Sequence, residues 1–316
     1  MTEPLWEDED RPRPAALGPV KVRVPAKINL HLGVGPVRPD GFHEVATIYH
    51  AIALFDEVTA RPADALALTM DGEGAGELTL DASNLVIRAV LALSAATGRE
   101  PCARLHLRKH IPVAAGLAGG SADAAATLVA CDALWGTGLG REDLASVAAE
   151  IGSDVPFLVL GGTALGTGRG ENVSPVLAPG HAWHWVLAFG DGGMSTPEVY
   201  RELDQMRASG RAPASIGSPD DILTALRQRD PTVLAKALAN DLESAALSMR
   251  PELRATLDVG AAAGALAGMV SGSGPTCVFL CRDAGHATAV ASALEEAEVC
   301  RAARAAHGPV PGARLV

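Results

Sequence analysis

The chain has 316 residues, enough for two domains of roughly 150 residues, and its 48% hydrophobic and 20% charged residues are ordinary globular usage. This composition excludes a fibrous repeat and disorder throughout. The 26 Lys and Arg against 37 Asp and Glu give a net charge of −11, which argues against nucleic acid or an anionic membrane as a partner. A small anionic ligand stays compatible, because a local nest of backbone N–H groups binds phosphate even in an acidic protein.

Residues 1–19 are acidic and then proline-rich, without the basic and apolar regions of a secretory signal, and we interpret them as a flexible tail. Five cysteines without a Cys-x-x-Cys pair indicate free thiols. The least polar stretch, residues 260–270, is about half the length of a membrane span. These features predict a cytoplasmic protein with no membrane partner.

After the tail, alternation of apolar and polar residues predicts a strand at 20–24 that ends at Pro25, and a second strand at 28–34. Prolines and Asp-Gly make residues 35–41 a predicted loop, and ordered structure resumes at His43.

Asn84 is a candidate N-cap for a helix that ends near Gly98, and a strand at 105–107 follows. A glycine-rich segment, 115–121, then opens into a predicted helix at 122–135, and a further helix spans 142–150.

A Pro-Gly turn at 178–180 predicts a boundary between an N-terminal domain, 20–178, and a C-terminal domain, 179–316. The second half shows a strand at 184–189, a polar loop, three helical stretches and a strand at 277–281. Strands and helices mixed without strict βαβ alternation predict an α+β fold.

The glycine-rich segment is the first candidate for chemistry. Glycines let several N–H groups turn towards one point, and the following helix N-terminus favours an anion. The segment is neither a P-loop nor a dinucleotide fingerprint, because neither spacing is present. Phosphate binding and a plain turn with Ser121 as the helix cap both fit.

Two charged positions are further candidates. Lys27 and Asn29 are two residues apart and would share one face of a strand, so that Lys27 could meet a phosphate or carboxylate. Asp154, between a helix end and an apolar run, could be either a helix cap or a general base.

The hydroxyl-rich turn at 270–277 could approach a ligand closely or be an ordinary β-turn. His106 and His110 are four apart, but they lack the Glu of a zinc helix and fall in a strand-like pattern, so we predict no metal site in the protein. The 4 Trp, 2 Tyr and 5 Phe are too few and too scattered for a base-stacking platform.

Four segments occur in a particular order: Pro-Ala-Lys-Ile-Asn-Leu, Gly-Leu-x-Gly-Gly-Ser, Ser-Asp-Val-Pro and Ser-Gly-Ser-Gly-Pro. From about residue 20 to 315 the chain resembles the GHMP small-molecule kinases. Asp-Gly-Phe-His at 40–43 and Asn-Asp-Leu-Glu at 240–243 resemble the branch that acts on a cytidyl diphosphate derivative of methylerythritol in non-mevalonate isoprenoid synthesis.

The resemblance implies an N-terminal domain like ribosomal protein S5 domain 2, a ferredoxin-like C-terminal domain, and a site in the cleft between them. It implies transfer of the ATP γ-phosphoryl group, with Mg²⁺, to the 2-hydroxyl of the cytidyl substrate. Asp154 matches the catalytic base and Lys27 the lysine paired with it. The segment that wraps ATP would comprise Pro112, Ala114, Ala115, Gly116, Leu117, Ala118, Gly119, Gly120 and Ser121.

The implied contacts to the cytidyl substrate are His43 at the cytosine edge, aromatic Tyr49 and Tyr200, and Asn29, Phe42 and Thr196 on the same side. Phe42 stands where a Tyr is common in the family, so a hydroxyl contact is absent there. Ala114, Ala115 and Ala118 replace frequent glycines, and alanine accepts a positive φ less readily. We expect a monomer or weak homodimer.

Alternatives remain at this point. Another GHMP kinase, acting on homoserine, mevalonate or a sugar, would share the fold but not the residues implied to recognise cytidine. A non-catalytic RNA-binding protein with an S5-like domain would need a basic aromatic surface that the composition does not favour. A nucleotide sensor without catalysis is a third reading, although Lys27 and Asp154 are both present.

Overall fold

The computed structural model describes residues 18–76, 79, 81–177, 180–215 and 217–316. The predicted tail therefore lies outside the described residues except for its last two positions. Positions 178 and 179, where the domain boundary was placed, also lie outside them, and this division stays a prediction.

The first half builds one sheet with helices packed against it. Its elements are β1 (Val20–Val37), β2 (His43–Arg61), β3 (Ala67–Gly72), α1 (Leu85–Thr97), β4 (Arg104–Lys109), α2 (Gly119–Trp135), α3 (Arg141–Ile151), α4 (Val155–Leu160), β5 (Thr163–Thr167) and β6 (Asn172–Pro175). The strand order β1-β2-β4-β3 is antiparallel except for the β3–β4 pair, and β5 adds to β2 and carries β6.

The predicted break at Pro25 is wrong, because β1 continues through it to Val37. Proline cannot donate a ladder hydrogen bond, and the strand accommodates it with a register shift between Pro25 and Ala26. The loop predicted from residue 35 accordingly starts later. This continuity places Lys27 and Asn29 in the middle of a long, buried strand.

The helices of the first half follow the predicted signals. Asn84 caps α1 by accepting from the Val86 N–H, and Gly98 ends that helix in the left-handed conformation. The helix after the glycine-rich segment starts three residues earlier than predicted, at Gly119. Its N-terminus therefore includes the glycines themselves.

The second half forms a four-stranded antiparallel sheet, β11-β7-β10-β9, with helices beside it. Two short strands, β8 and β12, return to pair with β1. The elements are β7 (Trp183–Phe189), α5 (Thr196–Ala208), α6 (Asp220–Gln228), α7 (Pro231–Ala237), β8 (Ala239–Asn240), α8 (Glu243–Met249), α9 (Leu253–Ala262), β9 (Ala267–Val270), β10 (Cys277–Cys281), α10 (Ala284–Glu296), β11 (Ala302–Gly308) and β12 (Arg314–Leu315). The α+β prediction is confirmed.

The cysteines are free thiols, and three of them are buried. Within the described ranges, no helix has the length and apolar character to cross a membrane.

His50 is a core histidine whose ionisation opposes folding. His50 on β2 is fully buried, with Nδ1 2.8 Å from Thr163 Oγ1, and burial lowers the pKa of His50 to about 3. The unfolded chain takes up this proton near the ordinary histidine pKa of about 6.5 while the folded chain does not. Below pH 6.5 the imidazole should therefore reduce the unfolding free energy by about 1.4 kcal/mol per pH unit, down to about pH 3.

Urea unfolding of wild type and His50→Asn between pH 7.5 and 5 measures this contribution. The variant should show a shallower loss of stability below pH 6.5, while His307→Asn, at an exposed site on β11, should keep the wild-type slope. Equal slopes for His50→Asn and wild type would show that His50 is protonated in the folded state as well.

Candidate active site

A cleft of about 710 Å³ gathers most of the residues singled out from the sequence. Side chains from β1 and β2 form its floor, and the start of α2 and the loop before α4 form one side. Helix α5 and the turn before β10 also line the cleft. The volume is within the range of small-molecule sites.

Lys27 and Asn29 lie on the same face of β1, as their two-residue spacing predicts. Lys27 Nζ donates to Asn29 Oδ1 (2.8 Å), and Asn29 Nδ2 donates to Thr47 Oγ1 (2.7 Å) on β2. Lys27 is only 6% exposed, so its ammonium needs partners in the protein or a ligand. The chain of hydrogen bonds fixes the ammonium at the bottom of the cleft.

Asp154 meets this lysine from the other side. Its Oδ2 lies 3.6 Å from Lys27 Nζ, and its Oδ1 accepts a hydrogen bond from the Tyr49 hydroxyl (2.9 Å). Asp154 precedes α4 at the N-cap position, but its side chain makes no capping hydrogen bond. The helix-cap alternative is therefore wrong for this carboxylate, which faces the cleft.

The glycine-rich segment turns sharply into α2 beside this pair. Ala114 (φ +49°), Gly116 (φ +76°) and Ala118 (φ +58°) adopt the left-handed conformation, so two of the alanines take the geometry that glycine takes more easily. Ala118, not Ser121, is the N-cap of α2, and it makes no side-chain capping bond. Ser121 instead lies in the first turn and lines the cleft.

Gly116 sits where the two halves of the chain touch. A Cβ on Gly116 would lie 2.1 Å from the Ser271 carbonyl oxygen, so no side chain fits there. Ser271 Oγ also donates to the Gly116 carbonyl oxygen (3.1 Å). The hydroxyl-rich turn is thus packed directly against the glycine-rich segment.

Two members of the predicted ATP segment do not line the cleft. Leu117 is fully buried, and its carbonyl oxygen accepts from the Lys27 N–H (3.3 Å). Pro112 is also buried, at the start of the segment. The other members, Ala114, Ala115, Gly116, Ala118, Gly119, Gly120 and Ser121, line the cleft.

A buried ion triad that the sequence did not reveal lies behind this segment. Lys109 Nζ donates to Asp56 Oδ2 and to Asp123 Oδ2, both at 2.7 Å, and all three side chains are at most 3% exposed. Asp56 Oδ1 also accepts from the backbone N–H groups of His110 (2.5 Å) and Ile111 (2.9 Å). The triad therefore ties the residues just before the segment to the second turn of α2.

The charges of the triad are set by burial and by each other. Burial alone would lower the pKa of Lys109, but the two carboxylates outweigh it and raise that pKa above its ordinary value. Burial also raises the pKa of Asp123, and the Asp56 carboxylate adds to this effect. Asp123 Oδ1 has no hydrogen-bond partner in the described part of the chain.

The end of the cleft away from Lys27 contains the aromatic side chains of His43, Tyr200 and Phe42. His43 Nε2 lies 3.0 Å from Asp204 Oδ1, and the His43 and Tyr200 rings are 4.9 Å apart. Phe42 is 52% exposed at the mouth, with the Arg169 guanidinium 5.0 Å from its ring centre.

Thr196, at the start of α5, shares a hydrogen bond with Ser273 (Oγ1 to Oγ, 2.9 Å) from the hydroxyl-rich turn. Both residues line the cleft.

Tyr49 has different partners from these rings. It is 3% exposed, stacks on Phe157 of α4 at 4.9 Å, and reaches Asp154 through its hydroxyl. The structure therefore pairs Tyr49 with Asp154 and the Tyr200 ring with His43.

Sequence reasoning missed Arg169, Asp204 and Ser273 as cleft residues. Ser273 lies in the hydroxyl-rich turn that was singled out, and Asp204 follows Tyr200 by four residues, one helical turn. These two signals could have found them. Arg169 lies in a glycine-rich stretch between β5 and β6, where the sequence pattern carries no signal.

Family models of known proteins match both halves of the chain. The family model for the GHMP kinases N terminal domain matches residues 84–162, and the GHMP kinases C terminal model matches residues 222–300. A solved homoserine kinase from Cytophaga hutchinsonii has a TM-score of 0.74 at 18% identity, covering 96% of this chain and 99% of that one, which is a likeness of fold alone.

Sequence relatives are more specific. A 4-diphosphocytidyl-2-C-methyl-D-erythritol kinase of Salinispora tropica is 67% identical over 315 residues, 100% of both chains, and that of Nocardia farcinica is 54% identical over 298 residues, 94% and 96% of the two chains. A crystal structure of 4-(cytidine 5'-diphospho)-2C-methyl-D-erythritol kinase matches with a TM-score of 0.72 and 32% identity, covering 90% of this chain and 98% of that one. The chain therefore belongs to the GHMP kinases, and within them to the family of 4-diphosphocytidyl-2-C-methyl-D-erythritol kinases.

The family resemblance and the two-domain GHMP kinase fold predicted from the sequence are thereby confirmed.

Proposed function

We propose that this chain transfers the γ-phosphoryl group of ATP to the 2-hydroxyl of 4-diphosphocytidyl-2-C-methyl-D-erythritol, giving the 2-phosphate and ADP. The observation that carries the proposal is one cleft that holds the Lys27 and Asp154 pair at one end and the His43 and Tyr200 rings at the other. The Lys27 and Asp154 pair can bind and deprotonate a reacting hydroxyl, and the two rings can pack against a nucleobase.

The nucleotide side of the cleft is the start of α2. As a GHMP kinase, the chain takes ATP as its co-substrate. The first N–H groups of a helix have no intrahelical acceptor, and the helix dipole adds about half a positive charge there. Gly119, Gly120 and Ser121 occupy these positions and line the cleft, so their N–H groups would bind the phosphates.

Mg²⁺ is the metal we expect with ATP. It prefers oxygen ligands, keeps several waters and takes much of its coordination from phosphates. No cluster of three His, Cys, Asp or Glu side chains in the described ranges could hold a metal by itself, so the ion would enter bound to ATP. The Ser121 hydroxyl, at the start of α2, lines the cleft and would be one protein ligand of the ion. Bound there, the metal would neutralise charge on the phosphates.

In the proposed reaction, Asp154 accepts the proton of the acceptor hydroxyl while that oxygen bonds to the γ-phosphorus. The bond from phosphorus to the β,γ-bridging oxygen breaks, and ADP leaves with that oxygen. Lys27 lies within 3.6 Å of Asp154 and stabilises the charge that develops on the reacting oxygens. A strong base is unnecessary, because the transition state is loose and the proton can leave late.

At the other end, the His43 and Tyr200 rings would hold the cytidine. Asp204 Oδ1 is the hydrogen-bond partner of His43 Nε2. The other ring nitrogen, Nδ1, would then form the hydrogen bond with the cytosine edge. Arg169 lines the cleft, with its guanidinium 5.0 Å from the Phe42 ring centre and its Nε 3.4 Å from Glu171 Oε1, and its positive charge would meet the diphosphate.

The test is ADP release from ATP and Mg²⁺ with a panel of acceptors: the cytidyl substrate, mevalonate, homoserine and galactose, against a blank without acceptor. We expect turnover above the blank with the cytidyl substrate alone. Turnover with homoserine or mevalonate instead would assign the chain to another GHMP activity. No ADP release above the blank with any acceptor, together with measurable ATP binding, would favour a nucleotide sensor without catalysis.

His43→Ala should raise the KM for the cytidyl substrate by about tenfold and leave the KM for ATP unchanged, because only the cytidine end loses a hydrogen-bonding ring. Steady-state kinetics with each substrate varied in turn measures this. His307→Ala, at an exposed position on β11, is the matched control. An effect confined to ATP would place His43 in the nucleotide site.

The cytoplasmic location, the monomer or weak homodimer, and the lack of a nucleic-acid partner stay predictions.

A further inference from the structure

We propose that Tyr49 is a positioning residue for the catalytic base: its hydroxyl holds Asp154 Oδ1, so that Oδ2 takes the proton from the acceptor hydroxyl. This inference rests on the proposed function for the identity of the acceptor. It assigns Tyr49 to the chemistry rather than to the cytidine, the role implied by the family resemblance.

The contacts of Tyr49 all lie at the Asp154 end. Its hydroxyl donates to Asp154 Oδ1 (2.9 Å), its ring stacks on Phe157 (4.9 Å), and Lys27 Nζ lies 5.7 Å from the ring centre. Tyr49 lines the cleft but is only 3% exposed, so its ring offers little surface to a ligand. An aromatic wall for cytidine would need an exposed ring face.

Neighbouring backbone is shaped around this tyrosine. A Cβ on Gly166 would lie 2.5 Å from Tyr49 Cε2, and a Cβ on Gly170 would lie 2.3 Å from the Tyr49 hydroxyl oxygen. Gly170 also has φ +108°, which few side chains adopt. Both glycines leave the room that the ring and hydroxyl occupy, so the hydroxyl has little freedom to turn from Asp154.

The direction of the hydrogen bond follows from ionisation. Burial and the nearby Asp154 carboxylate raise the pKa of Tyr49 well above its ordinary value, so the phenol keeps its proton and donates it. Asp154 Oδ1 is then occupied, while Oδ2 lies next to Lys27 (3.6 Å). Proton transfer to Oδ2 leaves the Tyr49 bond intact throughout the reaction.

Kinetics of Tyr49→Phe separate positioning from substrate binding, because the ring remains and only the hydroxyl is removed. We expect kcat to fall by about ten- to hundredfold while both KM values stay within about twofold. A raised KM for the cytidyl substrate with kcat unchanged would overturn the proposal. Thermal unfolding of the variant checks that the fold is kept.

A second measurement does not depend on activity. A hydroxyl proton held between Tyr49 and Asp154 should exchange slowly and give an NMR resonance. The chain has two tyrosines, so the resonance should persist in Tyr200→Phe and vanish in Tyr49→Phe and Asp154→Ala. A resonance that survives Asp154→Ala, or none in the wild type, would contradict the proposal.

The two tests separate this inference from the proposed function. If the wild type prefers another acceptor, the kcat of Tyr49→Phe is measured with that acceptor. In that case only the assignment of the cytidyl substrate is wrong, and the role of Tyr49 is still tested. If the wild type turns over no acceptor, the NMR resonance still decides the Tyr49 contact.

Discussion

Asp154→Ala should lower kcat by about 10²- to 10⁴-fold and keep the binding of ATP and the cytidyl substrate within about tenfold. The carboxylate is the group next to Lys27 that can accept the hydroxyl proton, and its removal leaves the α2 N-terminus and the His43 end unchanged. The loss should therefore fall on the chemical step.

Initial rates at saturating ATP and acceptor measure kcat, and equilibrium titrations measure binding. Asp258→Ala, an exposed aspartate on α9, is the matched control and should keep wild-type rates. If Asp154→Ala retains nearly full activity, the base is another group. If the affinities for ATP and for the cytidyl substrate fall together with kcat, Asp154 maintains the structure of the cleft rather than accepting the proton.

Much of this end of the cleft could be predicted from local patterns. The spacing of Lys27 and Asn29 places both on one strand face, whatever the rest of the chain does. The glycines at the start of α2 predict a helix N-terminus that is accessible to an anion. The local sequence, however, left the roles of Lys27 and Asp154 ambiguous. A surface lysine has the same local sequence pattern as a ligand-binding one, and a helix-capping aspartate has the same pattern as a catalytic one.

What the sequence could not supply are contacts between residues far apart in the chain. The hydrogen bond from Tyr49 to Asp154 spans 105 residues, and the one between His43 and Asp204 spans 161. No local periodicity encodes such a pairing. The family resemblance implied that Tyr49 contacts the cytidine, whereas its hydroxyl reaches Asp154.

The break predicted at Pro25 failed for a related reason. A proline disfavours a strand locally, but fifteen residue pairs between β1 and β2 outweigh one missing ladder hydrogen bond. The predicted cap at Ser121 failed because Ala118 adopts the left-handed conformation and starts the helix earlier. In both cases tertiary pairing or loop geometry overrode a local preference.

The buried triad gives the prediction with the largest effect on stability. Lys109→Met should lower the free energy of unfolding by about 3–5 kcal/mol, because it removes the ammonium between two buried carboxylates. It should also raise the KM for ATP several-fold, since Asp56 holds the N–H groups just before the glycine-rich segment. The KM for the cytidyl substrate should change little.

Urea unfolding followed by tryptophan fluorescence, together with steady-state kinetics, measures both effects. Lys236→Met, at an exposed site on α7, should stay within about 0.5 kcal/mol of wild type. Adding Asp123→Asn to Lys109→Met should recover part of the stability, because one of the two facing acids can then no longer ionise. A single variant as stable as wild type would mean that the two carboxylates hold a proton between them and need no lysine.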